Sequence, residues 1–176
     1  MRITISGPPG SGTTSLSKHL AAEHNLKLIS AGEVFRQLAK EKGMDLAAFG
    51  ELAENDPSID LMIDARQKQI AAEQDDIIVE GRLSGRMVEQ ADLRIWLNAP
   101  LACRVGRIAF RDSVTSEEEA MALTREREAC EAKRYMMYYQ IDINDLSSYH
   151  LVLNTERWSV DQLGLIVNCA IAAVKE

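Results

Sequence analysis

The sequence predicts an α/β fold of three layers, a five-stranded parallel sheet with helices on both faces. Three observations carry that expectation. Five short apolar runs alternate with longer segments of helical periodicity along the 176 residues. One run, Ile77-Ile78-Val79, shows no polar alternation, as suits a strand covered on both faces. A glycine-rich turn, Gly7-Pro8-Pro9-Gly10-Ser11-Gly12-Thr13-Thr14, joins the first run to the first helical segment.

Arg2-Ile3-Thr4-Ile5-Ser6 reads as the first strand, feeding the turn directly. Residues 15 to 22 follow as a helix, with Leu16 and Leu20 four apart on one face. The other strands are expected at 26–30, 77–79, 93–97 and 151–153, and further helices at 32–42, 57–73, 101–111, 117–139 and 159–174. Asp56 is a helix cap and Pro57 stands at the first helical position after it. That helix carries an apolar stripe of Ile59, Met62, Ile63 and Ile70, on which Arg66 also falls. Arg66 either snorkels along the surface or points into a cleft. Two excursions stand outside the sheet scaffold: a helical insertion from Ala31 to Glu73, and a polar crossing from Arg111 to Glu118. Excursions at the carboxyl ends of strands are where an open parallel sheet binds ligands. No repeat or linker interrupts the pattern, so a single domain is expected.

The composition is 46% hydrophobic and 27% charged, with a net charge of −7. That balance argues against nonspecific binding to a nucleic-acid backbone, which needs a basic surface. No apolar stretch approaches the roughly 18 residues of a membrane helix. A cytoplasmic monomer acting on small molecules is the expectation. Cys103, Cys130 and Cys169 form no C-x-x-C pair and read as reduced, buried or half-buried thiols. His19 and His24 are five apart, a poor spacing for a shared metal.

The turn carries the chemistry. Gly7, Gly12, Thr13 and Thr14 follow the pattern G-x-x-x-x-G-K-[ST], with threonine where lysine is usual. Glycines permit positive φ and a close approach of backbone to phosphate. Pro8 and Pro9 lack an N–H, so the phosphate donors are expected from Gly10 through Thr14. Thr14, followed by Ser15, stands where a hydroxyl reaches Mg²⁺. The missing lysine means a weak site, or a cation supplied from elsewhere. Arg104, Arg107 and Arg111 share one helical face, and Arg127 and Arg134 share another. Each stripe is either solvated surface or a phosphate clamp.

Further segments carry a resemblance. Ser30-Ala31-Gly32-Glu33-Val34-Phe35-Arg36 resembles the S-x-G-x-x-x-R segment of nucleoside monophosphate kinases. Glu80-Gly81-Arg82 is similar to the D-G-R of cytidylate kinases. Arg127 to Arg134 resembles their R-x-x-x-D-x-x-R segment, with Glu131 for the aspartate. The likeness covers nearly the whole chain and is strongest to the compact archaeal cytidylate kinases, which share the Gly-Ser-Gly-Thr-Thr turn.

The resemblance implies a P-loop kinase fold with a nucleotide-acceptor insertion at about 31–73 and a lid at about 111–134. It implies ATP-dependent phosphorylation of CMP and dCMP with Mg²⁺. Arg36 and Arg82 would hold the acceptor phosphate, Ser30, Gly32 and Gly81 would also bind the substrate, Arg107 would lie against the donor adenine, and Arg111, Arg127 and Arg134 would close over the phosphates. Glu131 would orient an arginine or touch the acceptor. Phe35, Asp60, Arg66 and Tyr135 are candidates for reading the base. Glu80 would reach Mg²⁺ through water, or merely pair with Arg82. Other acceptors (AMP, UMP, a small metabolite) and a non-catalytic nucleotide-binding protein stay open.

Overall fold

The structure, a computed structural model, describes residues 1–44, 46–112 and 116–175. Five parallel strands form one sheet: β1 Arg2–Ser6, β2 Lys27–Ser30, β3 Ile77–Glu80, β4 Leu93–Asn98 and β5 Leu151–Asn154. Their order is β2-β3-β1-β4-β5. β1 therefore lies at the centre, with Ile3 opposite Ile78 of β3 and Leu93 of β4. The chain leaves β1 between neighbours on either side, so the turn after it opens at the switch point where such sheets bind ligands.

Both faces are covered. On one, Ile3 and Ile5 pack with Leu16 and Leu20 of α1 (Thr13–His24) and with Leu163, Val167 and Ile171 of the last helix, Val160–Lys175. On the other, Ile29, Ile77 and Val79 pack on Ala71 and Val88. Each such aliphatic side chain contributes about 1.5–3 kcal/mol when fully buried. A third cluster lies off the sheet. It joins α2 (Ala31–Glu41), α3 (Leu46–Asn55) and α4 (Pro57–Glu73) through Ala39, Phe49, Ala53, Ile59 and Ile63. The remaining helices are α5 (Ser84–Met87), α6 (Leu101–Asp112), α7 (Glu117–Tyr139) and α8 (Val160–Lys175).

The five strands and six expected helices are present. α1 starts two residues earlier than its periodicity suggested, because Gly12 at φ 97° turns the chain straight into the helix. The Asp56 cap forms, its Oδ1 accepting from the Ser58 amide at 2.9 Å ahead of Pro57. α3 and α5 were not anticipated. α3 is short, has a glycine at position 50, and is held by Phe49, which is fully buried. The polar crossing narrows from both sides: α6 runs on to Asp112, and Ser116 caps α7 by accepting from the Glu119 amide at 3.2 Å. Residues 113 to 115 of that crossing lie outside the described residues. Among the described residues no helix is long and apolar enough to cross a membrane. The three cysteines are unpaired, and Cys169 is exposed rather than half-buried.

The stripe of α4 is rotated from the expected one. Ile59, Ile63, Gln67 and Ala71 are buried, while Met62 and Arg66 are exposed. Packing against both Phe49 and the sheet selects a row of fourth residues, and position 66 turns away from it.

Candidate active site

A cleft of about 1350 Å³ opens beyond the carboxyl ends of β1, β2 and β3. A site for one drug-sized ligand is about 300–1,000 Å³, so this cleft has room for more than one. The turn from Gly7 to Ser15 forms its floor: Gly7, Pro8, Pro9, Gly10, Ser11, Gly12, Thr13, Thr14 and Ser15 all line it. Ser30, Gly32, Phe35 and Arg36 enter from β2 and α2, Asp60 from α4, and Glu80, Gly81 and Arg82 from the end of β3. Arg107 and Arg111 enter from α6, and Arg127, Glu131, Arg134 and Tyr135 from α7. Arg66 is the exception: it is exposed and does not line the cleft, because the stripe is rotated away from it.

The turn is shaped by sterics and by backbone contacts. A Cβ on Gly7 would meet the Leu97 carbonyl at 2.4 Å, and Gly10 combines φ +79° with the Arg104 carbonyl at 2.6 Å. Neither position admits another residue without displacing main chain. The Ser11 amide, one of the donors expected for phosphate, donates to the Pro8 carbonyl at 3.1 Å and so closes the turn. Gly12, Thr13 and Thr14 stand at the start of α1, where amides have no carbonyl one turn back. Those amides, at the positive end of the helix, are a ready anion cradle.

Three arginine-stripe positions behave differently. Arg104 is buried; its Nε donates to the Ala99 carbonyl at 3.0 Å, its Nη1 to the Pro9 carbonyl at 3.1 Å, and it pairs with Glu128 of α7. Arg107 donates to the Gly10 carbonyl at 3.2 Å and to the Thr155 carbonyl at 2.8 Å. Thr155, in turn, donates its hydroxyl to the Ser11 carbonyl at 2.8 Å. Arg104 and Arg107 thus brace the turn from behind, and Arg111 is exposed at the cleft.

Glu80 does not pair with Arg82. Its Oε1 accepts from the hydroxyls of Thr13 at 2.7 Å and Thr14 at 3.4 Å, and its Oε2 from Ser30 at 2.6 Å. Thr13, at the lysine position, therefore holds a carboxylate where lysine would hold a phosphate. This donor set fits Mg²⁺, which takes few protein ligands and prefers hard oxygens. The Thr14 hydroxyl and the Glu80 carboxylate, without a cationic partner among the described residues, would hold it.

Arg82 reaches Glu131 instead, at 3.1 Å, and stacks over Trp96 with its guanidinium carbon 5.7 Å from the ring centre. Its Nη1 is buried with no hydrogen-bond partner among the described residues, although Arg82 lines the cleft. A buried donor left unpaired costs about 1–3 kcal/mol, which an anionic ligand would recover. Arg127 also pairs with Glu131, at 2.8 Å, and Arg134 with Asp60 at 2.7 Å. Glu131 is thus the shared anchor of two arginines, Arg82 from the end of β3 and Arg127 from one turn back in its own helix. Burial raises the Asp60 carboxyl despite Arg134 beside it, and burial pushes the Tyr135 phenol well above its usual range.

Three contributors escaped the sequence reading. Gln67 is buried and donates to the Glu80 carbonyl at 3.0 Å, fixing the end of β3. Asp64 lines the cleft and accepts from the Tyr139 hydroxyl at 2.6 Å. Thr155 ties the turn to the end of β5. A helical row of fourth residues (59, 63, 67) was available in the sequence and could have drawn attention to Gln67; nothing comparable marked the others.

The family model described as the cytidylate kinase-like family matches residues 2–157 of this chain. The chain belongs to that family. Among cytidylate kinase-like relatives, one from Methanosphaerula palustris named "Cytidylate kinase" is 94% identical, with both chains covered in full. A second of that name, from Methanoregula boonei, is 64% identical over all of this chain and 97% of its own. Solved structures share the fold at low identity. An uncharacterized protein from Eubacterium ventriosum superposes with TM-score 0.74 at 17% identity, covering 98% of each chain. Shikimate kinase from Bacteroides thetaiotaomicron gives 0.69 at 12%, again covering 98% of each. The three-layer P-loop kinase fold expected for this family is thus the one observed.

Proposed function

We propose that this chain is a cytidylate kinase, a nucleoside monophosphate kinase that transfers the γ-phosphoryl group of ATP to CMP and dCMP, giving ADP with CDP or dCDP. The observation that carries the reading is the pairing of two anion sites in one cleft. The amide cradle of Gly12, Thr13 and Thr14 faces donor phosphates, and the unpaired Arg82 donor, with Arg36 beside the same cleft, suits an acceptor phosphate. The relatives of that name, identical at 94% and 64% over the whole chain, support it.

In this reading residues 31–73 form the acceptor-binding insertion and 111–134 the lid. Phosphoryl transfer needs positioning and charge neutralisation more than covalent chemistry. The acceptor phosphate is already anionic, so no general base is required. Arg36, Arg82, Ser30, Gly32 and Gly81 bind and orient it. Arg111, Arg127 and Arg134 neutralise the transferring group from the lid side, replacing the absent lysine. Arg107 lies beside the donor base. When bound, Mg²⁺ neutralises charge on the donor phosphates; Thr14 and Glu80 would hold it. Lid closure excludes water, which otherwise diverts the phosphoryl group. The working form is a cytoplasmic monomer of pyrimidine nucleotide metabolism.

A coupled assay of ADP formation across CMP, dCMP, UMP and AMP tests this. CMP should be the best acceptor, with little ATP turnover when none is present. ATP turnover indifferent to every monophosphate would sink the kinase reading, and a preference for AMP or UMP would change the acceptor. ATP binding by calorimetry with no turnover would favour a regulatory role. Arg111→Ala and Arg134→Ala should each lower kcat by about 10²-fold or more; unchanged turnover in both would remove the account of lysine replacement.

A further inference from the structure

Asp64 is a carboxylate that the proposed phosphoryl-transfer chemistry does not use. It stands on α4 between Asp60 and Gln67 and lines the cleft. The other acidic groups of this wall have strong partners: Asp60 has Arg134, Glu131 has Arg82 and Arg127, and Glu80 has three hydroxyls. Asp64 pairs with no cation among the described residues. The Tyr139 hydroxyl donates to its Oδ2 at 2.6 Å, and no donor from the described residues reaches Oδ1.

A half-buried carboxylate without a cation is costly. An ionised carboxylate only accepts hydrogen bonds. The complementary ligand atom must therefore be a donor. The surroundings suit a flat ring: Ile63, Ala53, Phe35 and Tyr135 supply apolar and aromatic walls to the same cleft. Phe35 is itself fixed against the buried Phe49, with ring centres 4.8 Å apart. Cytosine offers an exocyclic amine at the edge where uracil offers a carbonyl oxygen. A carboxylate welcomes the first and repels the second.

We infer that Asp64 is a specificity-determining residue for the acceptor base: its free oxygen accepts from the exocyclic amine of cytosine, and Tyr139 holds the carboxylate in position for it. This rests on the cytidylate kinase reading and adds to it the group that separates CMP from UMP. A site built around a hydrogen bond to a ligand N–H rejects the analogue lacking it far more strongly than a merely apolar pocket does. In Asp64→Asn the Tyr139 hydroxyl still donates to the side-chain oxygen, which turns the amide NH₂ toward the base. That replaces an acceptor by a donor and favours the uracil oxygen.

The test is the Kd of CMP and of UMP for the full chain by calorimetry, with kcat at saturation, in wild type, Asp64→Asn and Asp64→Ala. Both variants are checked by thermal melting. The UMP/CMP ratio of Kd values should fall at least tenfold in Asp64→Asn. Asp64→Ala, which offers neither donor nor acceptor, should bring CMP affinity down toward that of UMP and serves alone if the asparagine variant misfolds. A ratio that falls less than tenfold in the folded variants overturns the inference. A wild type that turns over CMP while the ratio stays fixed leaves the kinase reading standing and removes only Asp64; a wild type without CMP turnover overturns both.

Discussion

Thr13 shows how one residue can change role without leaving its place. Its hydroxyl holds the Glu80 carboxylate at 2.7 Å, one of three hydroxyls that do so. A hydrogen bond to a charged group contributes about 1.5–3 kcal/mol. Thr13→Val, similar in shape but without the donor, should therefore lower kcat by roughly 10- to 100-fold, whereas Thr13→Ser should stay near wild type; steady-state kinetics checks both. The glycines, prolines and arginines of the site were legible because each has few physical uses in such a pattern. Arg66 and Gln67 were not. Adjacent positions on a helix differ by about 100°, and which of them is buried depends on two packing partners that no local pattern reveals. Thr155 was unreadable for a different reason: it touches Ser11 across 144 positions of chain.

At the level of elements, α2, α3 and α4 form a cluster with its own small core, separate from the two cores that cover the sheet. Phe49 is fully buried at its centre. Phe49→Ala should cost about 3 kcal/mol or more and should loosen these three helices before the sheet. Hydrogen exchange would show amide protection lost first in α2 to α4, with β1, β3 and β4 little affected. The strands were readable from their apolar runs, and the caps at Asp56 and the helix it starts from local chemistry. α3 escaped because a short helix held by one aromatic depends on tertiary contacts that its composition does not announce.

For the molecule as a whole, charge is distributed against the average. The chain carries a net −7, yet Arg36, Arg82, Arg107, Arg111, Arg127 and Arg134 converge on one cleft. Such a field draws anionic substrates in and is screened by salt. Raising ionic strength from about 0.05 to 0.5 M should raise the KM for CMP and ATP several-fold and change kcat less. Stability should carry the signature of Asp64, whose carboxyl is pushed up to about 6, chiefly by burial, with Asp60 adding to it and the Tyr139 hydrogen bond opposing. The folded state binds this proton more tightly than the unfolded chain. The penalty is therefore full above pH 6, shrinks as pH falls through 6, and is gone below the ordinary value of 3.8. Asp64→Asn should be more stable than wild type by about 2 kcal/mol at pH 8, and the gap should close by about pH 4. Denaturant melts at several pH values measure it. On the base-reading role inferred for Asp64, this cost is stability traded for recognition.

The bracing of the turn reaches further than its strength. Arg104, Arg107 and Thr155 grip the turn through the carbonyls of Pro9, Gly10 and Ser11. A peptide carbonyl is the same whichever amino acid bears it. The shape of the cradle is thus inherited separately from the side chain at position 13, which is free to drift while the amides stay aimed. A set of substitutions at that position should differ widely in turnover, while losing in stability no more than the hydrogen bond to Glu80. Exchange of the lysine for another residue is, in these terms, a change of tool in an unaltered handle.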